Sequence, residues 1–151
     1  MKINTTRFGE IEVTEELIFN FESPIIGYEE LSKYTLIDHN ENSCFKWFQS
    51  AEAGEVAFPV TTTSYFNIEY DFEISDSDAE KIALTSVENL IVLNIATIPH
   101  SNPKNTTINL KAPIIINVEN KKGMQIVLND DRYAIRYPLF ANQAAPKKED
   151  S

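Results

Sequence analysis

The sequence predicts a mainly β protein: a small, mostly antiparallel β-barrel-like domain with one short helix. One observation is the two-residue period of apolar side chains, which is clearest between Ile108 and Leu128. A second is the frequency of turn residues between the periodic stretches. A third is that a single segment, beginning at Ser75, carries the signature of a helix. The 151 residues suit one domain, predicted over 1–140, with a disordered tail over 141–151 that has nothing to bury.

The first part of the chain predicts short extended segments separated by turns. Gly9 is expected to bend or bulge the first of them. Phe19 and Phe21 alternate with polar residues in the second, and Phe45 and Trp47 share one side of a later one. The predicted strands are 2–13, 17–21, 34–37, 45–49 and 57–62, with turns at 23–27, 39–42 and 51–54.

The middle of the chain predicts a strand followed by the helix. Residues 65–74 alternate strictly, with aromatic or aliphatic side chains on even positions and mostly acidic ones on odd positions. Ser75 is a good N-cap, and Asp76 and Asp78 lie where the helix dipole favours acids. The apolar side of this helix is expected to continue to about Thr85.

The last third predicts a buried strand over 90–98 and then one β-hairpin over 108–128. Apolar even positions of the hairpin should face the core and the odd positions water, with 120–123 as the turn. Gly123 is assigned to a left-handed position of that turn. Pro113 predicts an edge or bulge, which could accept a partner segment or could only protect the edge from aggregation. A last extended arm is expected over 133–140.

The composition of the chain excludes some classes of protein and favours others. The net charge of −10 makes the chain a poor non-specific ligand for nucleic acid, and favours either simple solubility or a basic partner. One cysteine excludes an internal disulfide and fits a reducing cytoplasm. The N-terminal stretch MKINTTRFGE has no apolar run, so no signal peptide is expected, and no stretch is long enough to span a membrane.

Residues that could support catalysis or hold a metal or cofactor are scarce. His39 and His100 are the only histidines, and both fall in predicted loops without a partner at metal-ligand spacing. Cys44 borders an aromatic strand and fits a small core residue better than a nucleophile. The sequence contains no nucleophile elbow, P-loop or dinucleotide fingerprint. We therefore expect no enzyme activity, no metal and no cofactor.

The candidate site is an acidic run that could dock a basic protein. The run comprises Glu69, Asp71, Glu73, Asp76, Asp78 and Glu80. Its first three members lie on one face of the predicted strand, so Glu69, Asp71 and Glu73 would steer the partner, whereas the alternative is a merely solvated face. Tyr65 and Tyr70 are candidate aromatic anchors.

Nine stretches, in order over residues 3–139, carry a family resemblance. They are TRFGEI (6–11), PIIGYE (24–29), WFQS (47–50), AFPV (57–60), YDFEI (70–74), LNIATIP (93–99), NLKAPIIIN (109–117), GMQ (123–125) and RYPL (136–139). This order resembles the FliW family of flagellar assembly factors. Tyr28 and Phe72 replace an expected Phe and Pro, and the tail lies outside the pattern.

The resemblance implies a cytoplasmic β-barrel-like regulator that is not an enzyme and is a monomer when free. It implies two protein partners and no direct contact with nucleic acid or membrane. Flagellin would be bound before export, and the freed protein would bind the basic translational regulator CsrA, relieving repression of flagellin messenger RNA. Two other hypotheses stay open: a small-ligand-binding barrel in which Trp47, Tyr65 and Tyr70 stack on a sugar or base, and a structural subunit that forms a stable homo-oligomer.

Overall fold

A computed structural model describes residues 1–38 and 43–140. Eleven strands are distributed along the described chain. They are Lys2–Thr5 (β1), Gly9–Glu12 (β2), Phe19–Ser23 (β3), Lys33–Asp38 (β4), Lys46–Ser50 (β5), Ala57–Thr61 (β6), Leu90–Thr97 (β7), Thr107–Ile108 (β8), Ile114–Asn117 (β9), Lys122–Gln125 (β10) and Tyr137–Pro138 (β11). In the same residues one α-helix, Asp76–Lys81 (α1), confirms the predicted single helix, although it ends before Thr85. The predicted turn at 39–42 and the predicted tail at 141–151 lie outside the described residues.

Seven strands close into a barrel, which confirms the predicted fold class. Their order is β7-β6-β5-β4-β3-β10-β9, and β9 pairs back with β7 to complete the ring. Every pairing in the ring is antiparallel except that of β3 with β10, which is parallel. Closure leaves no free edge within the ring, so the wall is protected from edge-to-edge association.

The barrel interior is filled with side chains, many of them aromatic. Phe19 and Phe21 point inward from β3, and Tyr34 stacks on Phe48 with ring centroids 4.7 Å apart. Neither Tyr34 nor Phe48 has any measurable exposure. Burial raises the pKa of Tyr34 to about 12, assisted by the charge of Glu52 and by Tyr28. The interior is thus a packed core.

A second core lies on the outside of the barrel wall. Its buried members include Ile82, Ile108, Ile115 and Met124, and side chains from 66–74 and 133–140 cover it. In β9, Ile114 and Ile116 face the interior, whereas Ile115 faces this outer core, and all three are fully buried. The prediction that odd positions of this strand face water is therefore wrong at both of them, Ile115 and Asn117, which are buried.

The predicted hairpin is confirmed only for β9 and β10, because β8 pairs with β7 and β11 instead. Its left-handed residue is Lys121, with φ of 64°, and not Gly123. Gly123 lies within β10, where a Cβ would come 2.8 Å from Cε1 of Phe21. The glycine therefore serves the close packing of β10 against the side chains of β3.

The N-terminal segment forms a separate two-stranded hairpin, β1 with β2, and not one bent strand. Gly9 has φ of 67°, so it starts the return strand from a left-handed position. Ile3, Val13 and Ile18 form a small cluster between this hairpin and the chain that follows.

Candidate protein-interaction surface

Residues 66–74, here called the acidic strap, cross the outer wall of the barrel without forming a helix or joining a sheet beyond the 3-10 turn that ends at Phe66. Its even side chains are half-buried in the outer core, and Glu69, Asp71 and Glu73 are exposed, which confirms the predicted division into two faces. The prediction that this segment is a strand is wrong, because 63–66 form a 3-10 turn and the remainder joins no sheet. The strap is attached through side chains, so alternation here reflects burial of one face without strand pairing.

Two tyrosines fix the middle of the strap to the body. The Tyr133 hydroxyl donates to the Asp71 carbonyl oxygen and accepts from the Asp71 amide, both at 2.8 Å. The Tyr70 hydroxyl donates to the carbonyl oxygen of Leu110 and accepts from Asn94 Nδ2 at 3.3 Å. Burial raises the pKa of Tyr70 to about 12, opposed by the hydrogen bond from Asn94 and assisted by Tyr133. These bonds hold the acidic side chains outward on a defined backbone.

The helix after the strap is anchored at both ends. The Ser75 side chain accepts from the Asp78 amide at 3.1 Å, which confirms the predicted N-cap. At the other end, Asn117 Nδ2 donates to the carbonyl oxygens of Ile82 and Ala83, at 3.0 and 3.1 Å. Asn120 Nδ2 donates to the same Ile82 oxygen at 3.1 Å. The turn between β9 and β10 thus positions the acidic helix beside the strap.

No acidic side chain of the strap or the helix forms a salt bridge with a described residue. The salt bridges of the described chain join Lys46 to Asp38 and Arg132 to Asp130. Arg132 lies next to the strap, and its Nη2 donates to the Asp71 carbonyl oxygen at 3.4 Å. Hydrogen bonds from Arg132 hold the pKa of Asp130 at about 2, so this guanidinium is already engaged by a carboxylate. The same guanidinium interacts electrostatically with Asp71, so the strap presents a net negative charge that Arg132 offsets only in part.

A groove of about 560 Å³ lies beside the strap, the strap groove. Asp71 and Glu73 line one side of it, and apolar side chains from Leu84, Leu90 and Val92 also line it. Val87 is another lining residue and is 80% exposed. Apolar surface beside unpaired acids suits a basic partner that also inserts an apolar side chain.

Sequence reasoning missed these apolar residues of the strap groove. The sequence does contain one indication of them. The run LIVL at 90–93 is apolar on both faces of β7, which indicates that another part of the protein covers the outer face of this strand. Nothing local specifies that the covering is the strap or that it leaves a gap. Val87 carries no signal in sequence, because single exposed apolar residues are ordinary.

The two predicted aromatic anchors differ in the structure. Tyr65 is 58% exposed, as an anchor requires. Tyr70 is half-buried with its hydroxyl engaged, and its ring packs against Phe72 and Tyr133 at 5.0 and 4.9 Å. The expectation that Tyr70 is exposed is therefore wrong, because its ring and hydroxyl fasten the strap. Tyr70 also lines the strap groove, and its role in partner binding stays a prediction.

Pro113 does not mark a free edge. It is buried immediately before β9, a strand that is paired on both sides, with β7 and with β10. Its carbonyl oxygen accepts from the Ile126 amide at 3.0 Å. The proline precedes the ladder of β9, where its missing N–H disrupts no pairing.

The aromatic residues proposed for ligand stacking lie in different surroundings. Trp47 packs edge-on against Phe8, and the Arg7 guanidinium lies 4.0 Å above its ring. Tyr70 belongs to the cluster under the strap. Among residues 1–38 and 43–140 no group of His, Cys, Asp and Glu side chains is arranged to hold a metal ion. Over the same ranges no helix has the length and apolarity needed to cross a bilayer.

The fold defines a small, closed β-barrel protein with an acidic strap fastened to its outer wall. A sequence model of the FliW protein family matches residues 2–139. The chain belongs to the FliW family of flagellar assembly factors.

Known relatives support this assignment along nearly the whole chain. The flagellar assembly factor FliW of Caldicellulosiruptor saccharolyticus is 42% identical over 135 residues, covering 89% of this chain and 88% of the relative. That of Leptospira biflexa is 40% identical over 147 residues, covering 97% and 96%. A crystal structure of the flagellar assembly factor FliW superposes with a TM-score of 0.84 at 28% identity, covering 92% of this chain and 96% of the other.

Proposed function

We propose that this protein regulates flagellin synthesis in the cytoplasm by binding two proteins in turn, flagellin and a CsrA-type translational regulator. Bound to flagellin before export, it leaves the regulator free to repress flagellin messenger RNA. Once flagellin is exported, the freed protein binds the regulator and translation resumes. It acts as a monomer through binding, and not through catalysis.

The observation that carries this proposal is the acidic strap beside an apolar groove. A basic RNA-binding regulator is complementary to Glu69, Asp71 and Glu73, which are exposed and form no salt bridge with a described residue. Family membership supplies the flagellar context. The strap groove supplies apolar surface, which purely electrostatic docking would lack.

Magnitudes indicate that charge alone is insufficient. Two unit charges 10 Å apart in water interact by about 0.4 kcal/mol, and a Debye length of about 8 Å reduces this severalfold. Several such pairs reach on the order of 1 kcal/mol, or about fivefold in affinity. Steering by the strap therefore raises the association rate, while apolar contacts in the strap groove slow dissociation.

A kinetic experiment tests the proposal. Charge reversal of Glu69, Asp71 and Glu73 to Lys should slow association with purified CsrA-type regulator about tenfold at low salt and flatten its salt dependence. The matched control reverses Glu10, Glu12 and Glu16, which are equally exposed but lie in or near β2, and so changes the net charge equally. Surface plasmon resonance over a salt series measures both. If both triple variants slow association alike, the strap is not the docking site; if the wild-type protein binds neither partner, the proposed function is wrong.

A further inference from the structure

A second groove, the cationic groove, lies on a different part of the barrel. It has a volume of about 410 Å³. Its lining residues come from six stretches of the chain: Ile25, Ile26 and Tyr28; Phe58 of β6; Ile95 and Thr97 of β7; Asn109, Lys111 and Ala112; Gln125 and Val127; Ile135 and Arg136. The described chain has nine exposed large hydrophobic side chains, and four of them line this groove. They are Ile26 (63% exposed), Tyr28 (37%), Val127 (54%) and Ile135 (59%). Such clustering of exposed apolar side chains is typical of an interaction site.

The charge of the cationic groove is opposite to that of the protein as a whole. Its lining contains Lys111 and Arg136 and no acidic residue, in a chain with 23 acids and 13 bases. Neither cation forms a salt bridge with a described residue, although Lys111 contributes to the low pKa of Asp130. The two positive charges are therefore available to carboxylates of a partner.

The walls of the cationic groove are held in place by the protein itself. Gln125 bridges them, since its Oε1 accepts from the Ile26 amide at 2.8 Å and its Nε2 donates to the Ala112 carbonyl oxygen at 3.0 Å. Tyr28 packs edge-on against Phe58 with centroids 5.0 Å apart. A groove built in advance loses little entropy when it is filled.

We propose that the cationic groove binds an amphipathic, acidic segment of flagellin, with apolar side chains against Ile26, Val127 and Ile135 and carboxylates at Lys111 and Arg136. This assignment rests on the proposed function. A basic regulator is repelled by Lys111 and Arg136 and attracted by the acidic strap, so charge complementarity places the two partners on two different surfaces. The groove is then the docking surface for the exported protein.

Two variants of the cationic groove test this assignment by isothermal titration calorimetry with purified monomeric flagellin. Ile135→Asp, and separately the pair Lys111→Glu with Arg136→Glu, should each weaken flagellin binding at least about tenfold. Neither should weaken binding of the CsrA-type regulator by more than about twofold. The control for the first is Leu17→Asp, which is 56% exposed and lies in the 3-10 turn 15–17. The control for the second is Lys2→Glu with Lys104→Glu, which changes the net charge equally at exposed positions elsewhere.

The outcomes separate the inference from the proposed function. If both groove variants bind flagellin with wild-type affinity, the groove assignment is overturned and the proposed function stands. Groove variants that weaken the regulator and not flagellin also overturn it. Light scattering tests whether a second copy of the protein occupies the groove. If the wild-type protein is a dimer and Ile135→Asp is a monomer, the groove binds a second copy and the flagellin assignment is overturned. If wild-type protein fails to bind flagellin, the proposed function and this inference fall together.

Discussion

Removing the Tyr70 hydroxyl should loosen the acidic strap and lower the stability of the protein. Tyr70→Phe keeps the ring packed against Tyr133 but removes the donor to the Leu110 carbonyl oxygen and the acceptor for Asn94. Asn94 keeps its bond to the Asn109 carbonyl oxygen at 2.9 Å, so the main loss is a buried carbonyl left without this donor. Such a loss costs about 1–3 kcal/mol, or a fall in Tm of roughly 2–4 °C for each kcal/mol in a chain of this length.

Thermal denaturation and amide hydrogen exchange measure this effect. Exchange should accelerate within 66–74 and 109–112, which this hydroxyl joins, while interior strands such as β5 keep their protection. Tyr65→Phe is the matched control, because Tyr65 is 58% exposed and its hydroxyl makes no hydrogen bond with a described residue. Its Tm should match the wild type. Equal Tm values for Tyr70→Phe and Tyr65→Phe would refute the assignment of Tyr70 as the residue that fastens the strap.

Three further changes test the packing and ionisation described above. Ile115→Ala should cost about 2–5 kcal/mol in denaturant unfolding, because the side chain is fully buried under the strap; a change below about 0.5 kcal/mol would place it in water. Gly123→Ala should cost about 1–3 kcal/mol by overpacking against the aromatic ring of β3, and an unchanged midpoint would exclude this contact. The pKa values of Tyr34 and Tyr70, both raised to about 12, imply that the unfolded state loses these protons first, near pH 10. The contribution of these two tyrosines to the free energy of unfolding should therefore be constant below about pH 10 and fall toward pH 12. Tyrosinate absorbance should show two of the six tyrosines ionising later than the others; ionisation of all six together near pH 10 would contradict the prediction.

Local patterns in the sequence predicted which side chains are buried and which are exposed better than they predicted which strands pair. The alternation at 66–74 identified which side chains are buried and which carboxylates are exposed, because burial of one face requires only a period of two. It could not distinguish a paired strand from an unpaired strap, since both bury alternate side chains. The N-cap at Ser75 was predicted because its determinants lie within four residues.

Local sequence patterns could not predict contacts between segments that are far apart in the chain. The parallel pairing of β3 with β10, which is one link of the closed ring, joins segments about a hundred residues apart. Burial of Ile115 requires the strap on the far side of β9, although three consecutive isoleucines do indicate a strand covered on both faces. The pairing of β9 on both sides likewise explains why Pro113 does not mark an edge.

The candidate site was predicted in its charge but not in its apolar parts. Glu69, Asp71 and Glu73 stay predicted partner-binding residues, and the structure places them outward on one strap. The half-burial of Tyr70 was not predicted, because it depends on contacts with Leu110 and Tyr133, which are distant in the sequence. The lining of the cationic groove comes from six separate stretches of the chain, so no local sequence motif predicts it.

Hydrogen-exchange footprints of the protein with each purified partner test the central claim, that two proteins bind two different surfaces of one barrel. The regulator is predicted to protect 66–74 and 84–92 around the strap groove. Flagellin is predicted to protect 25–28, 109–112 and 125–136 around the cationic groove. A single footprint shared by both partners, or protection by the regulator at the cationic groove, would contradict the account.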